Sequence, residues 1–193
     1  MIGAAFTSTR RSLLRGFVAA GTVTWPAFVS GLAGAAEPDL PRDDLPPLRR
    51  TPEGRALSRA RYHRAEGFFR GEARLHDRIS LYNVGIVLQL GLSSHLLDVG
   101  FDDAWCARHI GLHVDKSLGY ANATGLDAGS HDLATLAVFL SPYGQWRNED
   151  VEPTHCHCPF VCGQIRQLTR GLLDRVREVT GHRRPQGSRG DLV

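Results

Sequence analysis

Apolar residues recur at steps of three and four along most of the chain after residue 50, which is the spacing of one helix face. Thr51-Pro52-Glu53 has the residue types of a helix start: an N-cap, a proline at the first position and an acid in the first turn. The pattern predicts a long helix from there to about Leu88, and Gly67 to Gly71 is where a break would fall. Its predicted buried side carries Phe68, Leu75, Ile79, Tyr82 and Ile86.

The stretch from Val84 to Leu92 is apolar on nearly all sides. It is shorter than the roughly 20 residues that span a bilayer, so it predicts a segment buried in a helical bundle. Residues Ser93 to Val99 then predict a short helical turn, which Gly100 closes.

Three more helices follow from their end signals. Asp102 is a suitable N-cap for a helix of about Asp103 to Asn122, and Ser130 for a helix from His131 to Leu140. The last helix is predicted to have Cys158 at its N-cap and Pro159 at its first position, with an apolar stripe that runs to Thr180 before Gly181. The predicted fold is therefore all-α, a small helical bundle of four to five helices over residues 51–181, with the first long helix packed against the last.

The first 36 residues have the layout of an export signal. Thr9-Arg10-Arg11-Ser12-Leu13-Leu14 precedes a modestly apolar run from Gly16 to Leu32, and Ala33-Gly34-Ala35 follows as a small-residue cleavage pattern. The segment resembles the twin-arginine (Tat) signal peptides. That resemblance implies that the Tat export machinery recognises the precursor and that a folded chain is delivered to the periplasm or secreted. The run contains Thr22, Thr24 and Pro26, so it predicts no stable membrane span.

The remaining boundaries follow from composition. Residues 37–50 carry four prolines and three aspartates, which predicts a solvated linker. Residues 182–193 form a basic tail with glycine and proline, predicted to be disordered.

The formal net charge of +3 belongs to the export segment. Residues 1–36 hold three of the 23 basic residues and no acid, so the remaining chain has 20 basic and 20 acidic residues. A chain without excess positive charge is not expected to bind nucleic acid over a broad surface.

The densest group of chemically reactive side chains lies in residues 154–163, Thr-His-Cys-His-Cys-Pro-Phe-Val-Cys-Gly. It contains three of the four cysteines of the chain. Thiolate and imidazole ligands together suit Zn²⁺ or Cu⁺, and a helix N-terminus favours negatively charged ligands. The candidate ligands here are His155, Cys156, His157, Cys158 and Cys162.

A second candidate half-site is formed by Cys106, His109 and His113, which steps of three and four place on one side of the helix predicted there. Cys106, Cys158 and Cys162 all lie at the margins of apolar helix faces, and such faces pack against each other. The two groups are therefore predicted to converge, with Cys106 joined to the later cysteines by a disulfide or by a shared metal.

Three functions remain open on these residues. The first is non-enzymatic binding of a metal, Zn or Cu, by an exported protein. The second is a helical protein that disulfides stabilise and that binds a partner, because four cysteines in an oxidising compartment can pair. The third is a thiol-based redox enzyme. No zinc-protease, phosphate-loop or haem-attachment motif is present in the sequence, which favours a role without catalysis.

Overall fold

A computed structural model describes residues 45–71, 78–147 and 158–185 of the chain. Within these ranges the structure contains helices and turns and no β-strand, so the predicted all-α fold is confirmed. The six α-helices of this part of the chain are α1 (Pro52–Gly71), α2 (Arg78–Val99), α3 (Asp103–His109), α4 (Val114–Ala123), α5 (His131–Leu140) and α6 (Cys162–Thr180), with a 3₁₀ turn at Tyr143–Trp146.

Helix α2 lies at the centre of the fold. It packs against α1, α4, α5, α6 and the 3₁₀ turn. Its side chains Leu88, Leu92 and Leu96 are at most 1% exposed and belong to the main core. A helix that is apolar on all sides has no solvent face, which explains why the chain wraps its other helices around this one.

A second, smaller core lies between α1, α2 and α6. It consists of Ala65, Phe69, Val87, Leu90 and Leu173. Together with the main core it holds α1 and α2 against α6, so the predicted packing of the first helical region against the last helix is observed.

The segment Ile79–Val99 of α2 is long and apolar enough to cross a membrane by length and composition. In the fold, 67% of its most apolar stretch is buried inside the protein. Burial of this kind is what the core helix of a bundle requires, and the sequence predicted it for Val84 to Leu92.

Several helix ends form as the sequence predicted. The Asp102 carboxylate accepts a hydrogen bond from the Trp105 backbone N–H, and the Ser130 hydroxyl accepts one from Leu133. Gly181 ends α6 in the left-handed conformation, with φ of 72°. Side-chain caps and glycine ends depend on a few adjacent residues, so the sequence alone identifies them.

The helix predicted from Thr51 to Leu88 is two helices, α1 and α2, and residues 72–77 between them lie outside the described residues. Two members of its predicted buried side are exposed, Phe68 at 41% and Ile79 at 56%. Two separate helices need not keep one common stripe, and in α1 the buried aromatic residues are Tyr62 and Phe69. Residues Ser93 to Val99, predicted as a separate turn, continue α2.

The helix predicted from Asp103 to Asn122 is also two helices. Helix α3 ends at His109, and Gly111 turns the chain with φ of 60° before α4 begins at Val114. Helix α6 starts at Cys162 with Val161 as its N-cap, so the predicted N-cap at Cys158 is wrong. The Gln164 side chain accepts a hydrogen bond from the Val161 N–H, which stabilises the later start.

The ends of the described part are attached to the bundle. Arg49 N–H donates to the Gly100 carbonyl at 3.3 Å, and Arg50 forms an ion pair with Asp98. Residues 182–185, which open the predicted tail, run along α1. Residues 186–193, like the export segment 1–36 and most of the linker, lie outside the described residues.

We expect Gly100→Ala to lower the free energy of unfolding by at least about 2 kcal/mol. Gly100 has φ of 111°, and a Cβ there would lie 2.6 Å from backbone atoms of Arg49. Gly125→Ala is the matched control, because Gly125 has φ of 95° but open space at the Cβ position. Urea unfolding would measure both variants. A loss at Gly100 no larger than that at Gly125 would contradict the close approach of residue 49.

Candidate functional site

Cys158 and Cys162 lie at the start of α6. Cys158 is exposed, and Cys162, the first residue of the helix, is partly exposed. Between them Phe160 packs against the main core and attaches this segment to the bundle. Two sulfur atoms are therefore held near solvent, one helical turn apart in sequence, at the positive end of a 19-residue helix.

The other candidate ligands of this stretch are His155, Cys156 and His157. They lie outside the described residues, which resume at Cys158. The predicted five-residue ligand set thus has two members with a described position, and both are accessible.

Cys106 has a different environment. It is 8% exposed and belongs to the main core. Burial, followed by the negative charges of Asp103 and Asp102, raises the pKa of its thiol to about 12. A thiol in this environment stays protonated at neutral pH, which is the form that does not bind metals.

His109 shares helix α3 with Cys106, whereas His113 lies beyond the end of that helix. His109 ends α3, where its ring stacks on Trp105 with 4.4 Å between ring centroids and its Nδ1 lies 2.9 Å from the Trp105 carbonyl oxygen. His113 is the N-cap residue of α4, with Nδ1 3.7 Å from an Asp115 carboxylate oxygen. The turn at Gly111 separates them, so the predicted half-site is not assembled by one helix.

The predicted convergence is not observed among the described residues. No two of Cys106, Cys158 and Cys162 lie at disulfide distance, so the predicted disulfide from Cys106 to either of the other two is not formed. In the same part of the chain, no group of three or more His, Cys, Asp or Glu side chains is arranged to hold a metal ion. A pairing of Cys106 with Cys156 falls outside the described residues.

The structure also contains a buried ionic cluster that the sequence analysis did not predict. Glu66, 1% exposed, accepts hydrogen bonds from both Arg170 Nη atoms, at 2.6 and 3.0 Å, and from the Tyr62 hydroxyl at 2.7 Å. Burial alone would raise the pKa of Glu66, but these hydrogen bonds and the positive charges of Arg170 and Arg184 outweigh it and lower the pKa to about 2. The available signal was that Tyr62, Glu66 and Phe69 share one face of α1.

A second buried polar cluster joins the end of α6 to α1 and α2. His182 Nε2 lies 2.7 Å from Ser58 Oγ, and the Ser58 hydroxyl donates to the Ser94 carbonyl at 2.7 Å. All three residues are at most 4% exposed. A serine whose proton is held by a backbone carbonyl is not activated as a nucleophile, so this cluster supports the fold.

A cleft of about 530 Å³ lies between α5 and α6. Ser130 and Asp132 line it at the start of α5, and Gln164, Gln167 and Gly171 line it along α6. It begins within one turn of Cys162, so the accessible cysteines and the cleft share the first half of α6.

Comparisons of this chain with protein-family models, with curated proteins and with solved structures found no match.

Proposed function

We propose that this chain is an exported, non-enzymatic protein that binds one soft metal ion, Zn²⁺ or Cu⁺, through its Cys/His stretch. The single observation that carries the proposal is the accessibility of Cys158 and Cys162 at the start of α6. Three further ligand-type residues, His155, Cys156 and His157, directly precede Cys158 in the sequence. Four or five thiolate and imidazole donors are enough for the tetrahedral sites that Zn²⁺ prefers and for Cu⁺.

Three features of the described residues support this ligand set over one that includes Cys106. Cys106 is buried with its thiol protonated, whereas the two later cysteines reach solvent. The positive end of α6 favours the negative charge of metal-bound thiolates. Phe160 holds residues 158–161 against the core, which reduces the conformational entropy that ligand convergence would cost.

Export through the twin-arginine pathway is part of the same proposal. The pathway carries folded chains, so a metal bound in the cytoplasm would travel with the protein. The resemblance of residues 1–36 to Tat signals supports this route, and a periplasmic or secreted location follows from it.

We expect the reduced chain to bind one Co²⁺, a spectroscopic substitute for Zn²⁺, with near-ultraviolet thiolate-to-metal absorption. Cys158→Ser and Cys162→Ser should each weaken binding roughly a hundredfold, because each removes one ligand. Cys106→Ser is the matched control and should bind like the unmodified chain.

The same titration distinguishes metal binding from the other two candidate functions, a disulfide-stabilised binding protein and a thiol-based redox enzyme. A chain that binds no Co²⁺ after full reduction, or a Cys106→Ser variant that loses binding as strongly as Cys158→Ser, would contradict the proposed site. Loss of accessible thiols before reduction, without metal binding afterwards, would favour a disulfide or a redox-active pair instead.

A further inference from the structure

Residues 182–185, the strap, lie along α1 and are held there by polar contacts. His63 Nε2 lies 3.2 Å from the Arg183 carbonyl oxygen, and Arg70 donates a hydrogen bond to the Pro185 carbonyl at 2.5 Å. No residue of the strap belongs to either hydrophobic core of the described part of the chain. Segments with few buried apolar contacts open at a lower free energy than the helices around them. The strap can therefore detach while the bundle stays folded.

The charged contacts of the strap allow this detachment. Arg184 pairs with Asp174 and with Glu66, whose carboxylate lies 3.4 Å from Arg184 Nε. If the strap leaves, Glu66 keeps its hydrogen bonds from Arg170 and Tyr62. Asp174 is partly exposed, and one of its carboxylate oxygens lies 3.3 Å from Arg170 Nε. Detachment of the strap therefore leaves no buried charge without a partner.

One side chain anchors the strap in the protein interior. The strap begins directly after Gly181, which ends α6 with φ of 72°. The next residue, His182, is 4% exposed and is the only strap residue that is buried. Its Nε2 lies 2.7 Å from Ser58 Oγ, and its ring lies 5.9 Å from the Tyr62 ring between centroids. The attachment of the strap therefore depends chiefly on the environment of His182.

The hydrogen bonds of His182 are satisfied by the neutral ring. The Ser58 hydroxyl gives its one proton to the Ser94 carbonyl, at 2.7 Å. His182 Nε2 must then carry a proton and donate it to Ser58 Oγ. A neutral imidazole has one such proton, so the closed strap needs no second one.

The charged groups that face His182 come from α1 and α2. Burial lowers the pKa of His182. The Asp98 carboxylate on α2 opposes this effect, but it already forms an ion pair with Arg55. On α1, Arg55, Arg59 and His63 lower the pKa further. His182 therefore binds a proton more tightly when the strap is detached and the ring is in water.

We propose that the strap is a pH-sensitive device, closed on α1 at neutral pH and detached from it in mild acid. The closed form is fully stable above the pKa of a histidine in water, about 6.5. Its stability is lost as the pH falls from that value through the lower pKa of the closed form. Detachment uncovers the side of α1 that His182 contacts, at Ser58 and Tyr62.

The test is ¹⁵N NMR relaxation of the full chain at pH 7.5 and at pH 5. We expect the order parameters of the Arg183 and Arg184 amides to fall from about 0.85 to about 0.6 or lower, the values of rigid and flexible backbone. Those of α6 should stay unchanged. His182→Gln should abolish the change, because its amide can still donate to Ser58 but does not titrate. His63→Gln is the matched control: it removes the other histidine that contacts the strap and should leave the change in place.

The NMR titration of the histidine rings gives a second measurement that does not depend on a variant. In the unmodified chain, the midpoint of strap detachment should coincide with the titration of the His182 ring, and a midpoint that follows the His63 ring would overturn the proposal. Equal order of the strap at both pH values would also overturn it, as would a pH response that persists in His182→Gln. Loss of order in α6 together with the strap would mean that the whole bundle unfolds, and would contradict a separate device.

Discussion

Arg170→Met is expected to lower the free energy of unfolding by about 3–5 kcal/mol. The substitution removes the two guanidinium hydrogen bonds to Glu66 and leaves a carboxylate that is 1% exposed without its main counter-charge. Glu66 keeps two other partners, the Tyr62 hydroxyl and Arg184, whose Nε lies 3.4 Å away. We therefore expect the loss of unfolding free energy to lie near the lower end of this range. Urea unfolding at neutral pH measures it directly.

A double-mutant cycle separates the ion pair from simple loss of packing. Glu66→Met together with Arg170→Met removes both charges, and a buried pair replaced by apolar residues of similar size costs little. The double variant should therefore be more stable than Arg170→Met alone. A double variant whose loss equals the sum of the two single losses would show that the two residues are not energetically coupled.

Acid is expected to destabilise the fold by on the order of 3 kcal/mol through His95, as the pH falls from about 6.5 to about 4. His95 is fully buried, and burial, opposed in part by the nearby Asp98 carboxylate, lowers its pKa to about 4. Between these two pKa values, the unfolded chain therefore binds a proton on His95 and the folded chain does not. Stability is fully present above the unfolded pKa and is lost as the pH falls through the folded one.

Burial favours the neutral form of His95, and among the described residues one of its ring nitrogens has no hydrogen-bond acceptor for a further proton. Thr124 Oγ1 donates to the Tyr120 carbonyl at 2.8 Å and lies 3.2 Å from His95 Nε2, so it accepts the Nε2 proton. His95 Nδ1 is buried and has no hydrogen-bond partner among the described residues. A second proton, added at Nδ1, would therefore have no hydrogen-bond acceptor among the described residues.

The control for this prediction is His95→Gln, whose amide can still donate to Thr124 but does not titrate. Unfolding free energy measured between pH 7 and pH 4.5 should depend less on pH in this variant than in the unmodified chain. The pKa of His182 is also lowered by burial, so part of the dependence should remain. The stability contributed by Glu66 is lost only below the pKa that this residue has in the unfolded chain, as the pH falls towards its folded pKa of about 2. A pH dependence unchanged by His95→Gln would contradict this account.

Local signals explain how much of the fold the sequence could predict. Some features depend on only a few adjacent residues, and the structure contains them. They are the helix caps at Asp102 and Ser130, the helix end at Gly181 and the buried apolar stretch from Val84 to Leu92. The divisions of the two long predicted helices are less visible. Gly111 could have marked one of them, but glycine inside an apolar pattern is compatible with either a helix or a turn.

The buried charges were harder to predict, because they depend on contacts between distant parts of the chain. Glu66 lies four residues before Arg70, which is the spacing of a surface ion pair on one helix, but its partner is Arg170 on α6. Residues 104 positions apart meet only once α1 and α6 are packed, and helical spacing carries no information about that distance.

The candidate site shows the same limit. Spacing grouped Cys106, His109 and His113 because one helix was predicted there, and the turn at Gly111 removes that geometry. Sequence could identify the dense Cys/His stretch, since its members are neighbours along the chain. It could not show that Cys106 would be buried in the core while Cys158 stays exposed.

Native mass spectrometry of the chain isolated from the periplasm of an expressing bacterium tests the central claim most directly. We expect a chain that lacks residues 1–35 or 1–36 and carries one Zn or Cu ion, with Cys156, Cys158 and Cys162 protected from alkylation until the metal is removed. A metal-free chain whose mass shows a disulfide, or whose Cys158 and Cys162 react with the alkylating reagent at once, would contradict it.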